Sequence, residues 1–320
     1  MRRSDYLIKR TGFALATIFI AITLNFFLFR VLPGSAITNI AHVPHASLQL
    51  QEALKHQFGL DRPMWVQYLR YLQQLAHGNL GISWADQQPV RTHLATNLAN
   101  TVPMLTLGTV VAMVAGIVTG VLAAWRRGRA ADYGHTGVAL LFYSFPTQWL
   151  GLMLLILLAS YLPAGGMSDP FLIGASFWQR VADTTKHMLL PSLTVALTLY
   201  GGYALIVRSS MLETLGEDYV LTARAKGLPA KMVVRRHALR NAMLPTVTLM
   251  ALSLGSIVGG FILVEVVFSW PGIGRATYEA VVQRDYPMLQ GTFLVLTVSV
   301  VVFNLLADLL YFRLDPRVSE

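Results

Sequence analysis

The chain has 320 residues, of which 54% are hydrophobic and 13% charged, with a net charge of +9 and no cysteine. A soluble domain carries about 25% charge, so lipid is the main solvent here, and the missing cysteine excludes disulfides, thiolate metal sites and cysteine nucleophiles. The positive excess sits in short gaps between apolar runs, a topological pattern that sets nucleic acid aside as a partner.

Arg2, Arg3, Lys9 and Arg10 precede the uncharged run Thr11–Phe29. This run is longer than a signal-peptide core and no small-residue cleavage site follows promptly, so it reads as a retained anchor. Further uncharged runs lie at Thr101–Trp125, Tyr133–Ser168, His187–Val207, Asn241–Val264 and Pro287–Ala307. Each reaches the roughly 20 residues that cross a bilayer as a helix. The third exceeds one span and is expected to end near Leu162-Pro163. Six spans place both termini on one side. The flanks on that side hold 16 Lys and Arg and the opposite flanks hold 9, several of them in the long 33–100 segment, where charge counts little. Both termini and the 208–240 loop are therefore expected in the cytoplasm.

The external segment has its own order. Leu48–Phe58 reads as a short helix capped by Ser47. Gly59-Leu-Asp-Arg-Pro63 breaks it, and Met64–Ala76 resumes a helical pattern with Trp65, Tyr68, Leu69, Leu72 and Leu75 on one side, ended by Gly78-Asn-Leu-Gly81. The division expected is residues 1–32 as N-terminal segment and first span, 33–100 as an external helical cap, and 101–317 as a five-helix core containing the 208–240 loop. The fold class is all-α, a polytopic membrane protein.

Ionisable or aromatic residues at membrane depth invite a functional reading. Glu265 closes the fifth span on its outer side and is a candidate for an external gate or for contact with an external protein, together with Trp270, Pro271 and Gly272. An interfacial anchor is the plainer reading of Trp270. Asp308, four residues after Asn304, reads as solvated. His42 and His45 lack further ligands, so no metal site is expected. Gly116-x-x-x-Gly120 and Gly255-x-x-x-Gly259 allow close helix approach, read as packing within the subunit. Pro146, Pro191 and Pro245 should interrupt helical bonding or mark helix entries; entry is the favoured reading for Pro191 and Pro245.

The cytoplasmic loop carries the most information. Thr214-Leu-Gly-Glu217 has capping-box spacing. Glu217 and Asp218 then sit in a first turn that favours acids, Gly227 suits a left-handed stop, and Pro229 forbids continuation. A second helix is expected from about Lys231 to Arg240. Spacing alone leaves open a rigid knob for a partner and an interfacial loop whose cations meet lipid phosphates. There is no G-x-x-x-x-G-K-[ST] run, hence no phosphate cradle in this chain.

Tyr219-Val-Leu-Thr-Ala-Arg-Ala-Lys-Gly-Leu228, followed by Arg236-His-Ala-Leu-Arg-Asn-Ala-Met-Leu-Pro245, resembles the signature loop of ATP-binding-cassette importer permeases, closest to the dipeptide/oligopeptide/nickel permease family. Gly59–Pro63, Gly78–Gly81, Ser144-Phe-Pro146, Leu190-Pro191, Phe268–Gly274, Arg284-Asp-Tyr-Pro287 and Leu314-Asp-Pro-Arg317 resemble that family's patterns in the same order. The general signature opens with Glu-Ala-Ala, and here those positions are Leu221, Thr222 and Ala223, so a glutamate role does not carry over. The resemblance implies a permease subunit for peptides or a related solute in a prokaryotic inner membrane. It implies a homologous second permease, two cytoplasmic ATPases holding ATP and Mg, and an external substrate-binding protein. No cofactor would be bound by this chain, and it would not be an enzyme. The loop would be the coupling helix, with Tyr219, Ala223, Arg224, Ala225, Lys226, Gly227 and Leu228 meeting an ATPase, Ala223 and Gly227 keeping that surface small. A self-sufficient secondary transporter or channel would need charges deep in the spans, and these spans are nearly charge-free. An intramembrane enzyme would need catalytic pairs that the sequence does not offer.

Overall fold

The computed structural model describes residues 3–31, 62–257 and 261–314. The expected helix Leu48–Phe58, both histidines of the 42–45 segment and the Leu314–Arg317 motif beyond its first residue lie outside them. Among the described residues the chain is built from helices: α1 (Arg3–Val31), α2 (Met64–Ala76), α3 (Val90–Trp125), α4 (Ala130–Ser144), α5 (Thr147–Leu158), α6 (Phe177–Leu215), α7 (Asp218–Ala225), α8 (Ala230–Met232), a π-helical turn (Val233–Ala238), α9 (Leu239–Ala242), α10 (Leu244–Ile257), α11 (Ile262–Val267), α12 (Ile273–Gln283) and α13 (Tyr286–Leu314).

Among the described residues four helices are long and apolar enough to cross a bilayer, at Ile8–Phe29 and Tyr286–Leu306 and as the whole of α3 and α6. The pair α4 and α5 makes a fifth candidate, bent by 104° at Phe145-Pro146. Proline lacks the N–H that would continue the ladder and its ring clashes with the preceding turn, so Pro146 sits as N-cap of α5. The expected fifth span falls on α10 and α11. Pro245 is the second residue of α10, an entry point as expected. Pro191 is not: it lies in the interior of α6, as Pro103 lies inside α3.

The axis of the fold is the α3–α6 pair. Gly108, Ala112, Gly116 and Gly120 recur every fourth residue, one stripe of a helix, and α6 lies directly on it. A methyl added to Gly116 would stand 2.5 Å from Tyr203 Cβ, one on Gly120 2.6 Å from the Ala204 carbonyl, and one on Gly108 2.7 Å from the Ser192 carbonyl. No side chain fits there, so the Gly116–Gly120 motif is spent inside the subunit. Ser192 Oγ donates to the Met104 carbonyl at 3.0 Å across the same seam. The outer faces carry Val110, Val111, Val114, Val118, Phe13 and Phe19 exposed, as lipid contact requires.

Outside the spans, α2 leans on α1. Tyr68 and Tyr71 meet Phe26 with ring centroids 5.3 and 5.4 Å apart, and the Tyr68 and Thr23 hydroxyls are hydrogen-bonded at 2.7 Å. The inward face of α2 thus includes Gln67, Tyr68 and Tyr71, whereas Trp65 and Leu69, expected on it, are exposed. Asp285 pins this layer: it accepts from the Ser83 hydroxyl at 2.5 Å and, at the start of α13, from the Met288 N–H at 3.1 Å.

Candidate functional site

The elbow α7–α9 begins where α6 ends at Leu215. The expected capping box is not formed. Thr214 is still within α6, where its hydroxyl donates to the Ser210 carbonyl at 2.8 Å, and Glu217 is the N-cap of α7 without a side-chain bond. Backbone bonds start the turn instead, from the Val220 and Leu221 N–H groups to the Glu217 carbonyl at 2.9 and 3.1 Å. Asp218 occupies the first turn, where the helix dipole favours an acid.

The stop follows the sequence reading. Gly227 has φ +77°; its N–H bonds the Arg224 carbonyl at 2.9 Å, and the Leu228 N–H bonds the Ala223 carbonyl at 3.4 Å. This pair of bonds is a Schellman stop, in which the left-handed residue is glycine because a Cβ is penalised there. Lys231–Arg240 is helical as expected, but six of its residues form the π turn.

The faces of α7 divide sharply. Val220 and Ala223 are buried in an apolar cluster with Ala124 from the end of α3, Val207 and Met211 from α6, and Val233, Ala238 and Ala242 from the next helices. Burying a valine side chain stabilises by about 1.5–3 kcal/mol, so this plug seats the short helix on the two long ones. Ala223 was expected on the outer surface; it points inward, and its smallness serves the chain's own packing. Tyr219, Arg224, Ala225, Lys226 and Gly227 are exposed and Leu228 is half-buried. The Asn241 side-chain amide donates to the Tyr219 hydroxyl at 2.7 Å, holding that ring over the joint.

At the other end of α3 lies a second break, where Phe268–Gly272 separates α11 from α12. Glu265 has no exposed surface. Its carboxylate accepts from the Thr101 hydroxyl at 2.8 Å and the Arg275 N–H at 3.0 Å, while Thr101 Oγ1 accepts from the Ile273 N–H at 2.9 Å. Trp270 is buried among Met104, Leu105, Leu190, Val264 and Phe268, and its Nε1 donates to the Asn100 carbonyl at 3.1 Å. The Asn100 amide returns a bond to the Pro271 carbonyl at 2.8 Å. A Cβ on Gly272 would strike Thr101 Oγ1 and Glu265 Oε2. The interfacial-anchor reading of Trp270 is therefore corrected: it is core. Glu265, Trp270 and Gly272 are likewise too buried to offer a surface to an external protein, because the polar loop satisfies its bonds inward.

One element escaped the sequence reading. Arg208 Nε and Nη2 donate to Asp132 Oδ1 and Oδ2 at 2.7 and 3.0 Å, and the Gly128 N–H adds a bond to Oδ2 at 3.0 Å. This two-pronged pair ties the α3–α4 turn to α6. The available signal was a lone acid at the head of an apolar run behind three arginines. Among the described residues no group of three His, Asp or Glu is placed to hold a metal.

The chain matches the family described as binding-protein-dependent transport system inner membrane component over residues 116–320, and that family's N-terminal counterpart over residues 3–105. It is 38% identical to the dipeptide transport system permease protein DppB of Escherichia coli K12, covering 99% of each chain. It is 36% identical to the glutathione transport system permease protein GsiC of Escherichia coli O6:H1, covering 98% of each. Among solved structures, an inward-facing conformation of the MetNI methionine ABC transporter superposes with a TM-score of 0.55 at 17% identity, over 69% of this chain and 96% of that one. The last likeness shows the fold alone. Taken together, these matches place the chain in the binding-protein-dependent transport system inner membrane component family, as the permease subunit of an ATP-driven importer with no ATPase site of its own.

Proposed function

We propose that α7 is the coupling helix of this importer, and that its exposed face, Tyr219, Arg224, Ala225, Lys226, Gly227 and the edge of Leu228, enters a cleft of a cytoplasmic ATPase. One observation carries the reading: the helix is closed at Gly227 and plugged by Val220 and Ala223 onto the ends of α3 and α6. A push on it therefore reaches both long spans without a flexible joint. The topology that goes with it has six transmembrane helices with both termini and the 208–240 loop in the cytoplasm. Residues 1–32 form the N-terminal segment and first span, 33–100 the external cap and 101–317 the core, with the outer turns of α3 running from cap into core. A homologous second permease completes the pathway, two ATPases carry ATP and Mg, and an external substrate-binding protein delivers the solute. Relatives named for dipeptide and glutathione transport support a peptide or peptide-like solute. The outer loop of Glu265, Trp270, Pro271 and Gly272 acts from within, as a brace for any gate at that end.

The test is Gly227→Leu in the assembled importer, in which the side chain meets open space but the backbone is strained. ATPase copurification or uptake should fall while the permease pair stays folded. Normal copurification together with normal uptake would overturn the assignment.

A further inference from the structure

Behind the stop of α7 the surface opens into a cavity of about 540 Å³ lined by Pro229, Lys231, Met232, Arg235 and Arg236. The lining is mainly apolar, although three of these five residues are cations. Lys231, Arg235 and Arg236 make no ion pair among the described residues. Their neighbours Val233 and Ala238 are buried in the apolar plug, so the cationic face of the turn is fixed outward. Four residues separate Arg236 from the uncharged run that opens at Asn241 and leads into the fifth span. A mainly apolar pocket lined by three cations at that level matches an amphiphile with a phosphate head. Basic pockets on the cytoplasmic side of membrane helices have this chemistry.

We propose that this cavity is a site for an anionic phospholipid of the inner leaflet, the phosphate bound by Lys231, Arg235 and Arg236 and the glyceryl end against Pro229 and Met232. It is larger than a bare phosphate needs, and the apolar walls would be wasted on a free ion. The site lies on the same elbow as α7, behind its stop and apart from the residues proposed to meet the ATPase. The inference rests on the cytoplasmic placement of that elbow.

The experiment uses the assembled importer extracted in mild detergent, with retained lipid identified by mass spectrometry. The wild type should keep phosphatidylglycerol or cardiolipin through purification. The triple variant Lys231→Gln, Arg235→Gln, Arg236→Gln should retain roughly 100-fold less, at about fivefold lost per cation near a membrane surface, with ATPase copurification unchanged. Met232→Asp, which leaves the cations in place, should also lose the lipid. Washing with inorganic phosphate should not displace it. Unchanged retention in both variants, displacement by inorganic phosphate, or loss of the ATPase with the lipid retained would each overturn the proposal, the last by making the cations a protein contact. The elbow's placement is checked separately: the chain has no cysteine, so Ala230→Cys, exposed and outside the proposed ATPase contact, reports whether an impermeant maleimide reaches the elbow only in inside-out vesicles.

Discussion

The two helix breaks at the ends of α3 solve the same problem with opposite chemistry. Ala124 touches the elbow and Thr101 touches the Phe268–Gly272 loop, roughly 35 Å apart at the 1.5 Å rise of an α-helix, close to the 30 Å of a hydrocarbon core. At the elbow the inside is wholly apolar and the charges stand outside. At the other break the Glu265 carboxylate is turned inside and meets hydroxyl and backbone donors, while Arg275, partly exposed, donates to the Ser269 carbonyl at 2.7 Å. An apolar plug leaves the cations Arg224 and Lys226 outside for a partner, whereas the polar plug turns its Glu265 carboxylate inward and satisfies it there. One break is a surface made rigid; the other is a joint made self-sufficient.

The sharpest way to break the comparison is to remove what connects the two ends. Gly116→Leu forces a side chain into a gap closed at 2.5 Å; overpacking costs of this kind run to about 3 kcal/mol, and here the helices must part. We expect loss of folded permease from the membrane, read as yield by size-exclusion chromatography, and failure at both ends. Next comes Glu265→Ala, which strands the Thr101 hydroxyl and the Arg275 N–H in a dry site at about 1–3 kcal/mol for each group left unpaired. A lower midpoint of thermal unfolding with a preserved ATPase complex is the expected result; an unchanged midpoint would deny that the loop is braced from within. Gly227→Val should cost about 1–2 kcal/mol at one backbone position, so folding survives while ATPase retention and uptake fall. Smallest is Glu217→Gln at the solvent-exposed start of α7, where the dipole interaction is weak and screened. It should leave ATPase retention in pulldown at the wild-type level, and a strong loss would mean that Glu217 itself meets the partner.

What could be read from the sequence follows the range of the forces involved. The stop at Gly227, the helix Met64–Ala76 and the break at Pro146 are set by a few neighbouring residues, and each stands where local chemistry puts it. The glycine stripe of α3 was visible as a motif, and its place inside the subunit followed from the likelier use of small residues. Which way a short helix faces is different. Within eight residues Val220 and Ala223 form no periodic stripe, and only the ends of α3 and α6 decide that both turn inward. Trp270 shows the same limit, since a tryptophan beside Pro-Gly after an apolar run looks alike whether it anchors in headgroups or fills a core. Glu265 found its donors on α3, 164 residues away in sequence, and the Asp132–Arg208 pair spans 76. The Thr214 spacing misled because α6 runs on to Leu215 and absorbs the residue that would have capped its successor.

The contact between α3 and α6 has one more consequence. The glycine stripe of α3 lies directly against the α6 backbone and the stems of Val195, Tyr203 and Val207, so little room is left in which side chains could absorb a displacement by rearranging. The two helices form one column, so a tilt imposed at its foot is expected to reach its head. Spin labels placed across the seam should show a single narrow distance in every nucleotide state, while distances from the column to α13 change.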